Sequence, residues 1–276
     1  MGELAARGLD VEHNRLSSGT TACLFNSFNF DLARLGRFGR SDVQMVHRVD
    51  GPIGVYRGFD DGTDRRVEAV NHAFAATTVF QSRYSLEKHR ELGLELRAPV
   101  VITNAVDPAI FHPPEGREPL ARRRVRLIAA SWSDNRRKGA ETLEWLDRHL
   151  DVRRYDMTFV GRAPLRFEQI RAVGPVESRQ VAELLRGHDV YVAPSRDDPC
   201  SNALLEALAC GLPAVFLASG GHPELVGEGG LAFHSDEDLL DVLDQLVEEI
   251  EARRDAISTP TISEVADRYL EVLGVP

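Results

Sequence analysis

The sequence predicts an α/β protein of two domains, each a parallel sheet covered by helices, with a cleft between them. Three observations predict it. Short apolar, β-rich runs alternate with amphipathic stretches along nearly the whole chain. A segment rich in proline and charge, DPAIFHPPEGREPLARRR (107–124), breaks that alternation near the middle. The 276 residues suffice for two ordinary domains of about 100–150 residues, and a hydrophobic content of 43% can fill two cores.

In the first domain, residues 1–107, the expected strands are TACLFNSF (21–28), VQMVHRVD (43–50), ATTVFQS (76–82) and PVVITNA (99–105), with DVEHNRL (10–16) a further candidate. Their β-branched and aromatic residues suit a pleated surface, and polar turn residues bound them. Helices are expected at DRRVEAVNHAF (64–74) and SLEKHRELG (85–93), where apolar residues recur at helical spacing. A linker over 108–123 leads to the second domain, 124–276. There the strands are RVRLIAAS (124–131), DMTFVG (156–161), DVYVAPS (189–195) and PAVFLAS (213–219), with helices near 138–150, 178–187 and 201–210 and a closing C-terminal helix. Runs this apolar belong to parallel strands covered on both faces.

Several classes of function are set aside by composition. No run of about 18 apolar residues exists, and Met1 is not followed by a basic stretch and an apolar core, so neither a membrane span nor a signal peptide is expected. The three cysteines, Cys23, Cys200 and Cys210, are widely spaced and lack any metal-ligand pattern. They imply a reduced, cytoplasmic protein without structural zinc. The "DD" pairs at 60–61 and 197–198 read as turns rather than metal ligands. A net charge of −10 argues against nucleic acid as a partner and favours small-molecule chemistry. RLGRFGR (34–40) is a faint candidate for peripheral membrane contact, against the plainer reading of a solvated helix end.

Ligands of such sheets sit beyond the carboxyl ends of the strands, which directs attention to two loops of the second domain. In SWSDNRRKGAETLEWL, Arg136, Arg137 and Lys138 bunch at the start of a helix, where cations oppose the helix dipole. A phosphate would offset that cost; a solvated basic turn is the alternative. Lys138 is one of only two lysines in the chain. The second loop, RDDP after Ser195, leads into a helix that starts at Ser201–Asn202 and ends at Gly211. Residues 203–210, ALLEALAC, are apolar on every face except at Glu206. A buried carboxylate needs partners, so Glu206 either meets an internal donor or accepts from a polar ligand such as sugar hydroxyls. Asp198, at the mouth of the same helix, is a turn residue or a second ligand group.

The stretch PSRDDPCSNALLEALACGLPAVFLASGGHPELVGEGGLAF (194–233) resembles the nucleotide-sugar half of GT-B glycosyltransferases, specifically the retaining family four, glycosyl transferases group 1. The family's frame is an acid, seven residues, a glutamate, then a Gly-Gly…Pro-Glu loop. Here it is Asp198, Glu206, Gly220, Gly221, Pro223 and Glu224. HRVDG, NAVDPAIFHPP and SWSDNRRKG are similar to the family's acceptor-side, domain-boundary and phosphate-loop segments, and the motifs stand in the family's order along the chain. The resemblance implies two Rossmann-like domains and transfer of a sugar from a nucleotide diphosphate donor, with retention at the anomeric carbon, to an acceptor it does not identify: glycan, lipid or small molecule. It implies no cofactor and no metal, because Lys138, Arg137 and helix N-termini supply the positive charge. Lys138, Ser201 and Asn202 would hold the diphosphate, Glu206 the ribose hydroxyls, and Asp198 the transferred sugar. Gly220 and Gly221 would admit the donor closely, the backbone near Val176 would meet the base, and His47 would touch sugar or acceptor. Ser133, Arg137 and Cys200 complete the implied donor site.

The sequence also departs from the family pattern. Asp198 stands for the usual glutamate, Ser133 for an arginine and Ala105 for a glycine. ELAARGLDVEHNRL (3–16) matches the end of the family's first helix and its second strand, so the first strand and the glycine-rich loop after it are expected to be missing. The alternative function is therefore an inactive nucleotide-sugar-binding relic or interaction module. A related epimerase is a third class, for which no extra acids stand out in the first domain. A glycosidase pair does not fit, because Asp198 and Glu206 lie two helical turns apart rather than facing one another across a bond.

Overall fold

A computed structural model describes residues 2–27, 42–120, 123–162 and 165–275; the basic segment 34–40 lies outside them. The chain divides into two compact units, Met1–Asn104 with Pro260–Pro276, and Ala105–Thr259.

The first unit is a four-stranded parallel sheet, β1 (Ala22–Asn26), β2 (Gln44–Val49), β3 (Thr77–Phe80) and β4 (Pro99–Val101), in that spatial order. Residues 10–16 form no strand. Five of the seven are polar, and Asn14 takes a positive φ of 52°, a turn conformation that asparagine tolerates. The helix Arg83–Glu91 starts where the Ser82 hydroxyl accepts from Ser85 N at 3.0 Å. The last helix, Ile262–Leu273, is opened by a capping box between Thr261 and Glu264. It packs on this sheet: Leu273 joins Val46, Val79 and Ile102 in one core cluster, and Gln44 Nε2 donates to Val272 O at 3.0 Å. The sequence places that helix in the range of the second domain, and its partners lie instead near the start of the chain.

The second unit is a six-stranded, all-parallel sheet, β5 (Val125–Ser131), β6 (Tyr155–Gly161), β7 (Arg171–Val173), β8 (Val190–Ala193), β9 (Ala214–Leu217) and β10 (Gly230–Phe233), in the order β10-β9-β8-β5-β6-β7. Both faces are buried. Ile128, Tyr191, Ala193 and Phe216 point into one core cluster, Leu127, Ala129, Val190, Val192 and Val215 into the other. That alternation is why the strands read as unbroken apolar runs. The segment after residue 107 belongs to this unit. Phe111 is buried in its core, and Arg117 Nη2 donates to Cys210 O and Gly211 O at 2.8 and 2.9 Å.

The strand order locates the site. From β5 the chain steps to β6 and β7 on one side, then returns to β8 beside β5 and continues outward through β9 and β10. Connections leaving two adjacent strands in opposite directions open a crevice at their carboxyl ends, so the loops after β5 and β8 flank it.

Candidate functional site

The loop after β5 carries the three cations. Asn135 Oδ1 accepts from Arg137 N at 3.0 Å and caps a single 3-10 turn, Arg136–Lys138. Gly139 follows with φ +95°, and a Cβ there would fall 2.3 Å from Pro194 Cγ. Only glycine lets this loop lie against the end of β8. Contact is then made by the backbone: Arg196 N donates to Arg137 O at 2.8 Å.

The loop after β8 presents its two aspartates to those cations. Lys138 Nζ donates to Asp198 Oδ2 at 2.7 Å, and the Arg137 guanidinium meets the Asp197 carboxylate. Asp198 is buried and Lys138 half-buried, so theirs is a charge-assisted bond in a partly desolvated setting, shorter and stronger than a surface pair. Asp197 is held at φ 54°, and its N–H donates to Ser219 Oγ at 2.9 Å. The loop after β9 closes the set. Gly221 N donates to Asp198 O at 2.8 Å, and a Cβ on Gly220, whose φ is +64°, would lie 2.3 Å from that same oxygen. Three loops at the carboxyl edge of the sheet are thereby tied to one buried acid.

The helix Asn202–Ala209 begins beside this set. The Ser201 hydroxyl caps it, accepting from Leu204 N at 3.4 Å, with Asn202 exposed in the first turn. Glu206 is half-buried, and among the described residues its carboxylate has no hydrogen-bond or ion-pair partner. Burial pushes its pKa up to about 7. Among the described residues no internal donor reaches it. Cys200 is buried in the core behind the helix and Val176 packs against the same core. Ser133 is engaged within its own loop, its N–H donating to Ser131 Oγ at 3.3 Å and its hydroxyl accepting from Asn135 N at 3.2 Å.

The structure therefore brings together Arg137, Lys138, Asp198, Gly220 and Gly221. His47 lies in the first unit, on β2, fully buried and stacked on Phe25 with ring centroids 4.4 Å apart. Ser27 O accepts from its Nε2 at 3.1 Å, and its Nδ1 accepts from Asn71 Nδ2 at 3.1 Å. Burial pushes its pKa down to about 4, so the ring is neutral. Asp197, Ser219 and the buried His222 are not among the residues expected from sequence. Asp197 is hidden in a DD pair that reads as a turn, and His222 stands out only as an imidazole between Gly221 and Pro223. Among the described residues no three His, Cys, Asp or Glu side chains group as a metal site, and no helix is long and apolar enough to cross a membrane.

Residues 124–249 match the family model of the glycosyl transferases group 1. Over 142 residues the chain is 28% identical to one component of human phosphatidylinositol N-acetylglucosaminyltransferase, a match covering 46% of this chain and 28% of that protein. Among solved structures, sucrose-phosphate synthase from Thermosynechococcus elongatus superposes with a TM-score of 0.73 at 17% identity, over 92% of this chain and 73% of that one. Anabaena HepE in complex with UDP gives 0.68 at 18% identity, over 84% and 72%. A glycosyltransferase from Rickettsia africae gives 0.68 at 15% identity, over 99% and 78%. The α/β fold of parallel sheets expected from sequence is thus the fold of GT-B glycosyltransferase structures.

Proposed function

We propose that this chain, whose residues 124–249 match the family model of the glycosyl transferases group 1, transfers a sugar from a nucleotide diphosphate donor to an acceptor hydroxyl, with retention of anomeric configuration. The observation that carries the reading is the Lys138–Asp198 pair at the switch point between β5 and β8. One group suits a phosphate and its partner suits a sugar hydroxyl, within a single bond of each other.

Departure of the diphosphate builds negative charge at the glycosidic oxygen. Lys138, Arg137 and the backbone N–H groups in the first turn of the helix Asn202–Ala209 stabilise that charge, in a crevice where water screens them poorly. Ser201 and Asn202 bind the same phosphates. Asp198 accepts from a hydroxyl of the transferred sugar, and Gly220 and Gly221 keep its backbone close. Glu206 accepts from the ribose hydroxyls, which gives its unpartnered carboxylate donors. The base lies toward Val176, with Cys200 behind it in the core. His47 acts through the backbone it holds at Ser27, since both ring nitrogens are bonded inside its own unit. The positive charge comes from the chain, so turnover is expected to be unchanged by a chelator such as EDTA.

The acceptor is a glycan, a lipid or a small molecule, and the three widely spaced cysteines, Cys23, Cys200 and Cys210, support action in the cytoplasm. HepE was solved with UDP and with UDP-glucose, which makes uridine donors the first to test. The test is donor hydrolysis. Wild-type protein should release sugar slowly from its donor and Lys138→Ala should not; equal turnover in both removes Lys138 from the reaction.

A further inference from the structure

His222 sits between Gly221 and Pro223, and its imidazole is fully buried. Leu217 O, which can only accept, lies 3.1 Å from Nδ1, so Nδ1 carries the proton. Burial lowers the pKa of the ring, Asp198 raises it and Lys138 lowers it; these are the charged groups that act on it, and the ring is neutral. Nε2 is therefore an acceptor. Ser195 Oγ lies 3.0 Å away and donates its one proton to that nitrogen. The same oxygen is 3.5 Å from Asp198 Oδ2, longer than a good hydrogen bond but close enough that a small rotation would let it donate there if the imidazole did not take the proton first.

Resting on the donor reading above, we propose that His222 is a positioning residue that favours the sugar of the donor: by drawing the Ser195 hydroxyl to itself, it leaves the Asp198 carboxylate open to accept from a sugar hydroxyl. Asp198 then carries one internal charged donor, Lys138, and keeps acceptor capacity for a sugar hydroxyl. Without the imidazole, Ser195 turns to Asp198 and competes with the substrate for it. The diphosphate, held by Lys138 and the helix N-terminus, is indifferent to that change.

The test compares two ligands by calorimetry, a nucleoside diphosphate and its sugar conjugate: UDP with UDP-glucose, GDP with GDP-mannose and ADP with ADP-glucose, carrying forward the pair that wild-type protein binds. In His222→Phe the dissociation constant of the sugar conjugate should rise roughly tenfold, the scale of one hydrogen bond to a charged group, while that of the bare diphosphate stays within about twofold. The double variant His222→Phe with Ser195→Ala, which removes the competing hydroxyl, should return the ratio of the two constants to the wild-type value. Equal weakening of both ligands, or a double variant no better than the single one, would overturn the proposal. Should His222→Phe not fold, Ser195→Ala alone decides: an unchanged ratio supports the proposal, and a changed ratio means that the hydroxyl serves the donor directly. Wild-type protein that binds no pair overturns the donor reading itself, whereas binding with a ratio that His222→Phe leaves unmoved overturns this inference alone.

Discussion

Replacing Glu206 with glutamine keeps the shape of the side chain and removes its charge. The carboxylate is half-buried and has no partner among the described residues, and burial raises its pKa from 4.5 to about 7. At 1.36 kcal/mol for each pH unit, that sets a ceiling of about 3 kcal/mol on the penalty for ionising it in the fold. Partial exposure to water reduces the figure to about 1–2 kcal/mol. The sign follows from linkage: between pH 4.5 and 7 the folded chain holds a proton that the unfolded chain has lost, so stability falls as pH rises through that window. Glu206→Gln should therefore match wild type in melting temperature near pH 4 and exceed it near pH 8. At about 2–4 °C per kcal/mol the gap should be several degrees. Calorimetry on the same samples should show the opposite trend for ligand, with nucleotide affinity weaker by about 1–3 kcal/mol in the variant, the scale of hydrogen bonds to a charged group. A residue that destabilises the empty fold and strengthens the complex is there for the ligand. A variant less stable than wild type at pH 8, or a difference that does not change with pH, would show instead that Glu206 has an internal donor.

Other perturbations test the scaffold around it. Lys138→Ala leaves the buried Asp198 carboxylate uncompensated and should cost about 1–3 kcal/mol in denaturant unfolding, a loss that adding Asp198→Asn partly restores. Gly220→Ala must place a Cβ against Asp198 O at a φ of +64°, so it should lower stability by more than about 1–2 kcal/mol and weaken donor binding with it, both measurable on one preparation. Asp189 is buried at the opposite edge of the sheet; burial alone would raise its pKa, but bonds from Arg123 at 2.6 and 2.9 Å and from Arg126 N at 2.8 Å outweigh it and hold the carboxyl below its ordinary 3.8. Its contribution is present above pH 3.8 and lost as pH falls through the lower folded value, so Asp189→Ala should cost about 3–5 kcal/mol at pH 7 and show a shallower acid transition.

How legible each part was in the sequence follows from how local its cause is. The strands β5, β6, β8 and β9 and the helix Asn202–Ala209 announce themselves because both faces are buried, leaving apolar runs bounded by Gly, Pro, Ser and Asp. β7 and β10 do not. RAV and GLAF, three and four residues long at the two edges of the sheet, form because a neighbouring strand is there to pair with. The candidate strand at 10–16 shows the converse, a polar stretch with nothing in its composition to hold it extended. For Ile262–Leu273 the capping box and apolar stripe are visible in the sequence, but the surface that covers the stripe is set by residues more than 150 positions away. In the site, Lys138 is legible from a cation placed at a helix start, and Asp198 from its place at the mouth of the apolar helix and in the family's acid–glutamate frame. Their pairing is not, because it depends on β5 and β8 lying side by side, a consequence of strand order. Glu206 was legible as a question, an acid among apolar residues, and among the described residues it has no internal partner.

Whether the loops after β5 and β8 bind a nucleotide diphosphate sugar through Lys138 is decided by calorimetric titration of wild type and Lys138→Ala with UDP, GDP and ADP and their common sugar conjugates. Wild type should bind one nucleotide series with a single site, and Lys138→Ala should bind the same series at least tenfold more weakly while remaining folded. Binding of equal strength in the two proteins, or no binding of any nucleotide to wild type, would contradict that expectation.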